Sequence, residues 1–236
     1  MGELDGRVIA IAGAAGGLGP SVAARLAEQG ATIAATDVSQ ERLDELGSDL
    51  VLSDQRFYAR AVDLLDSDAA SKWASDLRER FGGVDGLLHL VGGWRGGQPI
   101  AEAPLSDYEW LHELLVRTVQ HTTRAFWEVL AASEHGRFVL VSSSQAQRPN
   151  GTNASYAAAK AAAESWTLAL ADSFKDTPAT ANIIVVNAIL TPRMRDESPD
   201  KEFPTFTSAE EIAEAICFVC SDAAAKMNGK RLSLHP

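Results

Sequence analysis

Residues 7–19, Arg-Val-Ile-Ala-Ile-Ala-Gly-Ala-Ala-Gly-Gly-Leu-Gly, constrain the fold more than any other stretch of the chain. Arg7 to Ala12 is an apolar run of strand length. The turn that follows carries glycine at positions 13, 16, 17 and 19, and a helical pattern then continues through Gln29. A strand feeding a glycine-rich turn and a helix is the opening unit of a parallel, nucleotide-binding sheet. Glycines allow the backbone to approach a pyrophosphate closely. The helix start offers unpaired N–H groups and the positive end of its dipole. Gly13, Ala15, Gly16, Gly17, Leu18 and Gly19 are therefore candidate cofactor-binding residues.

The same alternation continues down the chain. Ala31 to Thr36 reads as a second strand and ends at Asp37, 24 residues past Gly13. An acid there can accept both hydroxyl protons of an adenosine ribose and repels a 2′-phosphate. No Arg or Lys occupies the glycine turn or directly follows Asp37, so NAD is expected rather than NADP. Further strand-like runs are Phe57 to Val62, leading to Asp63-Leu64, and Gly86 to Val91, leading to Gly92-Gly93. Arg137 to Val141 ends at Ser142-Ser143-Ser144. Asn182 to Ile189 and Lys230 to Leu234 complete the set. Helix starts are signalled by Asp66 or Ser67 and by the capping-box patterns Ser106–Glu109 and Ser208–Glu211. The helix from Ser106 is expected to run to about Ala132. Strands alternating with helices imply an α/β fold of the Rossmann type: a doubly wound parallel sheet of about seven strands with helices on both faces. No repeat or low-complexity linker interrupts residues 1–236, so one domain is expected.

Composition excludes several function classes. The net charge of −11 leaves no basic stripe for a nucleic-acid partner. The acidic start, Met1-Gly2-Glu3-Leu4-Asp5, is no signal peptide, and Gly6 breaks the myristoylation pattern. No apolar run approaches the ~20 residues of a membrane span. A cytoplasmic protein is expected. Cys217 and Cys220 form a Cys-x-x-Cys pair with no second pair elsewhere, on an amphipathic helical stretch. They read as packing residues rather than as a redox or zinc site, and no metal site is expected.

A second constellation lies at Ser155-Tyr156-Ala157-Ala158-Ala159-Lys160. Tyr156 and Lys160 are four residues apart on a helix, so they share one face. A phenol titrates near ~10, and a neighbouring cation lowers that value. Ser143 precedes Tyr156 by 13 residues.

With this spacing Ser143, Tyr156 and Lys160 resemble the catalytic triad of the short-chain dehydrogenase/reductase family. The resemblance extends from Arg7 to Leu234. It implies an NAD(P)-dependent oxidoreductase interconverting a secondary alcohol and a ketone, with Tyr156 as general acid/base. It implies that Lys160 lowers the Tyr156 pKa and holds the nicotinamide ribose, and that Ser143 binds the substrate oxygen. It places Asp63 and Leu64 at the adenine, His89 and Gly92 where the backbone passes the cofactor, and Thr191 at the nicotinamide amide. It further implies a homodimer or homotetramer, paired through the Ser106 and Tyr156 helices.

The chain departs from the family pattern in several places. Ala12 replaces a usual Thr. His89-Leu90 replaces Asn-Asn, Arg117 replaces an Asn that holds a relay water, and Thr191-Pro192 replaces Pro-Gly. Most of these changes fall around the nicotinamide end. They leave open a cofactor-binding protein with little catalysis, regulatory or a silent assembly partner, and more remotely a lyase or epimerase. Arg117 either binds an acidic substrate or holds the water by another route, or it faces a helix partner or solvent. Trp94-Arg95-Gly96-Gly97 is a candidate substrate-facing loop, and Arg193 to Thr207 corresponds to the family's mobile lid. Arg95, Arg117, Arg193 and Arg195 together suggest a small-molecule substrate that is anionic or polar.

Overall fold

The computed structural model describes residues 2–235; Met1 and Pro236, the two ends of the expected unit, lie outside the described residues. β1 (Val8–Ala12) runs through the glycine turn into α1 (Gly19–Glu28). β2 (Thr32–Asp37), α2 (Gln40–Leu50), β3 (Phe57–Ala61), α3 (Ser67–Phe81) and β4 (Gly86–His89) follow. Next come α4 (Leu105–His112), a π-helical turn (Glu113–Arg117) and α5 (Thr118–Ala132). β5 (Arg137–Ser143), α6 (Ala154–Ser173), β6 (Thr180–Val186), β7 (Ala188–Leu190) and α7 (Pro192–Glu197) lead to β8 (Phe206–Ser208), α8 (Ala209–Cys220) and β9 (Arg231–Ser233).

Seven strands form one parallel sheet in the order β3-β2-β1-β4-β5-β6-β9. Its central strands are apolar on both sides, as a sheet covered on both faces requires. In β5 and β6 the side chains alternate. Phe138, Leu140, Ile183 and Val185 pack with Trp73, Phe126 and Phe174 from the α3, α5 and α6 side. Val139, Val141, Ile184 and Val186 pack with Leu26, Ile212 and Ile216 of α1 and α8. Each such side chain contributes roughly 1.5–3 kcal/mol when fully buried. A doubly wound sheet of seven strands is the architecture the sequence implies.

Several boundaries are set by local chemistry. Asp66 caps α3, accepting from the N–H groups of Asp68 and Ala69. Gly82, at φ +81°, ends that helix in the left-handed region. Ser208 and Glu211 form the expected capping box on α8.

Ser106 does not form the expected cap. α4 begins at Leu105 after Pro104, so Ser106 already lies inside the first turn. The expected helix does run to Ala132, with a π turn at Glu113–Arg117 inserted between α4 and α5 and helical dihedrals at both junctions. The expected Asn182–Ile189 strand is two strands. β6 stops at Val186, and Asn187 leaves the ladder to bond Ser144 Oγ and the Thr205 carbonyl. β7 then pairs with β8 in a separate two-stranded sheet.

Strand order reverses between β1 and β4, each of which pairs with the other and then leads away across opposite halves. The carboxyl ends of strands at such a point leave a crevice that no crossover helix fills.

Candidate active site

A cleft of about 1000 Å³ opens there. Its wall gathers Gly13, Gly16, Gly17 and Leu18 from the first turn, Asp37 from the end of β2, Asp63, Leu64 and Gly92, together with Ser143, Tyr156, Lys160 and Thr191. Residues far apart in sequence thus meet in one groove. Three expected cofactor residues are not in the wall. Ala15 instead donates its N–H to Asp37 Oδ2 at 3.2 Å. Gly19 packs on the turn itself, where an added Cβ would lie 2.0 Å from the Ala14 carbonyl oxygen. His89 lies beneath the cleft.

The turn is shaped by the absence of side chains. Gly13 has φ +81°, and a Cβ on it would sit 2.8 Å from the Val91 nitrogen. A Cβ on Gly17 would meet Thr191 Cγ2 at 2.9 Å. No side chain caps the start of α1. The turn is therefore a smooth cradle at a helix start, which fits the diphosphate of a dinucleotide.

Asp37 is fixed at the far end of the groove. Its Oδ1 accepts from the Val38 N–H at 2.9 Å and lies 4.0 Å from the Arg42 guanidinium. Arg42 also donates to the Ala15 carbonyl and lines the cleft. Sequence reasoning missed this residue because it is not adjacent to Asp37. The signal was present: Ser39 caps α2, and the first turn of that helix swings residue 42 back over the end of β2.

Lys160 is buried and donates from Nζ to the Val141 carbonyl at 2.9 Å. Burial pushes its pKa down to about 8, and Glu164 pulls it back up. Its Nζ lies 5.9 Å from the centre of the Tyr156 ring. The resemblance implies that Lys160 lowers the Tyr156 pKa. In this geometry burial dominates instead and pushes Tyr156 up, while a hydrogen bond with Ser143 works in the lowering direction. Ser143 reaches the cleft because β5 stays extended to its last residue before a 3₁₀ turn at Ser144–Ala146.

His89 is held in the interior. Its Nε2 is 3.0 Å from Thr118 Oγ1 and its Nδ1 is 3.2 Å from Thr122 Oγ1. Burial drives its pKa down to about 3, with Lys160 adding repulsion, so the ring is neutral at ordinary pH. The side chain of His89, expected among the cofactor-binding residues, is instead taken up by Thr118 and Thr122 beneath the cleft, and Thr118 takes a place in the wall.

The four arginines do not converge on the cleft. Arg117 is exposed and turns away from the cleft, as expected if it faces a helix partner or solvent. Arg95 pairs with Asp107 at 3.3 Å and stacks over Trp110. Arg193 pairs with Glu197 at 2.6 Å, and Arg195 is exposed. None of them lines the wall. Thr191 does line it, and its hydroxyl caps α7 by accepting from the Met194 N–H at 3.3 Å.

Cys217 and Cys220 are free and buried, and burial pushes the Cys220 thiol up to about 12. Among the described residues no cluster of His, Cys, Asp or Glu could hold a metal ion, and no helix is long and apolar enough to cross a membrane.

Fold and groove together define a dinucleotide-binding α/β protein with a Ser, Tyr and Lys at the mouth of the site. The short chain dehydrogenase family model matches residues 7–202, most of the chain, and the chain belongs to that family. Its members are oxidoreductases that use nicotinamide cofactors. The chain is 32% identical over 183 residues to a 2,3-dihydro-2,3-dihydroxybenzoate dehydrogenase of Bacillus subtilis, covering 77% of this chain and 69% of that one. A solved short-chain dehydrogenase/reductase of Brucella melitensis, described as a glucose/ribitol dehydrogenase, superposes with a TM-score of 0.84 at 27% identity, covering 99% and 96% of the two chains. A blue fluorescent protein from a metagenomic library, solved with NADPH, superposes with a TM-score of 0.85 at 25% identity, covering 99% and 98%.

Proposed function

We propose that this chain is an NAD(H)-dependent oxidoreductase interconverting a secondary alcohol and a ketone. The observation that carries the reading is the meeting of Ser143, Tyr156 and Lys160 in one groove with the glycine turn and Asp37. When bound, the nicotinamide cofactor supplies the hydride acceptor or donor. In oxidation the Tyr156 phenolate takes the hydroxyl proton; in reduction the Tyr156 phenol gives it back. The Ser143 hydroxyl donates to the substrate oxygen, where negative charge develops. Lys160 is held charged beside them and would bind the cofactor ribose hydroxyls. Gly13, Gly16, Gly17 and Leu18 would hold the diphosphate. Asp63, Leu64, Gly92 and Thr191 would line the remainder of the bound cofactor. NAD is favoured over NADP because Asp37 presents a fixed carboxylate at the adenosine end.

The protein is proposed to act as one domain, in the cytoplasm, as a homodimer or homotetramer. The test of the activity is Tyr156→Phe. Turnover should fall by about 10²–10⁴ while cofactor binding, read by energy transfer from tryptophan, stays within twofold. Retained turnover sinks the assignment.

A second reading, cofactor binding with little catalysis, draws on the raised Tyr156 pKa. NADH binding with no turnover across a broad ketone panel would favour it.

A further inference from the structure

The cleft has two chemically different ends. The charged residues in its wall are Asp37, Arg42, Asp63 and Lys160. The first three lie at the end of β2, on α2 and after β3, on the adenosine side, and Lys160 belongs to the reacting group. The opposite end is bounded by Gly93 and Trp94 after β4, Leu114 of the π turn, Gln145 after Ser143, Asn153 before α6, and Met194 of α7. None of these six residues is ionisable.

Part of this end is closely packed. A Cβ on Gly93 would lie 2.7 Å from Leu114 Cδ2, and one on Gly96 would lie 2.4 Å from Asn153 Oδ1 and 3.3 Å from Trp94 Cζ2. Two side-chain oxygens at this end, Gln145 Oε1 and Asn153 Oδ1, are buried without a hydrogen-bond partner. Both oxygens are acceptors still without a donor, and neither amide carries a charge that would hold a carboxylate. The arginines that would welcome an anion are bound elsewhere or face solvent.

The geometry points to a neutral substrate: a largely apolar ketone or alcohol that carries a further hydrogen-bond donor, a hydroxyl or amide N–H, away from the reacting carbon. Its apolar body lies against Trp94, Leu114 and Met194, and its donor meets Gln145 and Asn153. This inference rests on the alcohol–ketone chemistry proposed for the same cleft. Of the expected anionic or polar substrate it keeps the polar group and drops the charge.

The test separates binding from chemistry. Acetophenone, hydroxyacetophenone and acetylbenzoate share one skeleton and differ in charge and donor. Each is titrated into wild-type protein saturated with NAD⁺, where a ketone cannot react, and binding is read by quenching of tryptophan fluorescence. Hydroxyacetophenone should bind tightest, and acetylbenzoate at least ~10-fold more weakly, a gap of about 1.4 kcal/mol. Met194→Arg places a cation in the wall and should reverse that order. Acetylbenzoate binding as tightly as hydroxyacetophenone to wild type, or quenching by none of the three, overturns the inference. The same compounds with NADH report turnover by absorbance. The expected binding order without turnover keeps the inference and counts against the alcohol–ketone reading alone.

Discussion

Glu164 sits one helical turn beyond Lys160 on the buried face of α6, with Oε2 bonded to Arg231 at 2.6 Å and Oε1 without a partner. Gln147 also donates to Oε2, at 3.4 Å. The titratable groups facing Lys160 are Tyr156 and Glu164 on its own helix and His89 on β4. β5 and the start of α5 bring Ser142, Ser143 and Thr118 to the same cleft wall, while Glu113 and Arg117 of the π turn are exposed. His89 is neutral, so Glu164 is the charge that holds a proton on Lys160 against desolvation.

A Lys160 pKa near 8 places an alkaline limb on the activity profile: the ammonium is lost as pH rises through that value. Glu164→Gln keeps the volume and removes the charge. The limb should move to lower pH, by on the order of one unit. Arg231→Gln removes a cation that competes for the same carboxylate, and the limb should move the other way. The measurement is kcat/KM against pH for the three proteins. Equal profiles, or shifts of the same sign, would show that Glu164 does not set the charge of Lys160.

Asp37 and Arg42 oppose one another at the end of the groove proposed to take the cofactor's adenosine. The acid is nearly buried and tied to two backbone N–H groups, whereas the guanidinium is half exposed. The fixed charge should dominate in wild type. Asp37→Ala leaves Arg42 alone beside the groove, so NADPH affinity should rise about tenfold relative to NADH, or ~1.4 kcal/mol. Adding Arg42→Ala should erase that gain. Dissociation constants from tryptophan energy transfer decide the matter; a wild type that already prefers NADPH would contradict the NAD assignment.

The parallel sheet was legible because each central strand is apolar on both faces and each is followed by a turn and a helix. The groove was legible because Gly13, Gly17 and Asp37 occur where a strand-turn-helix unit puts them. What was not legible depends on side-chain direction. His89 stands at the end of a strand whose neighbours reach the cleft, yet strand alternation turns its ring inward to Thr118 and Thr122. Arg117 occupies the last position of a π turn, whose extra width alters which residues face inward, and Thr118 takes the inward place. The charged pairs Arg95–Asp107 and Arg193–Glu197 neutralise cations that look available in the sequence. The break at Asn187 is set by hydrogen bonds to Ser144 and Thr205, which no local pattern announces.

His89 makes the fold sensitive to acid. Its pKa is about 3 in the fold and ordinarily 6.5, so the unfolded chain binds the extra proton between those values. The stability this neutral ring permits is complete above 6.5 and is lost as pH falls towards 3. Going from pH 7 to pH 5 should cost about 2 kcal/mol from this residue. His89→Gln should start less stable at pH 7, through the altered bonds to Thr118 and Thr122, but lose less on acidification. Denaturant midpoints of both proteins at pH 7 and pH 5 give the comparison. Parallel losses would mean that another group carries the acid sensitivity.

Gly17 and Thr191 define how closely the first turn approaches the start of α7. A Cβ on Gly17 would stand 2.9 Å from Thr191 Cγ2, closer than two carbons tolerate. Gly17 has no left-handed backbone, so Gly17→Ala should fail through this contact alone. Thr191→Ser removes Cγ2 but keeps the hydroxyl that caps α7 by accepting from the Met194 N–H. Gly17→Ala should weaken cofactor binding about tenfold, Thr191→Ser should change it little, and the double variant should recover most of the loss. The coupling expected for such a contact pair is ~0.5–3 kcal/mol. If the double variant binds as weakly as Gly17→Ala, the added methyl is blocking the diphosphate cradle itself, and the Thr191 contact is irrelevant to the loss.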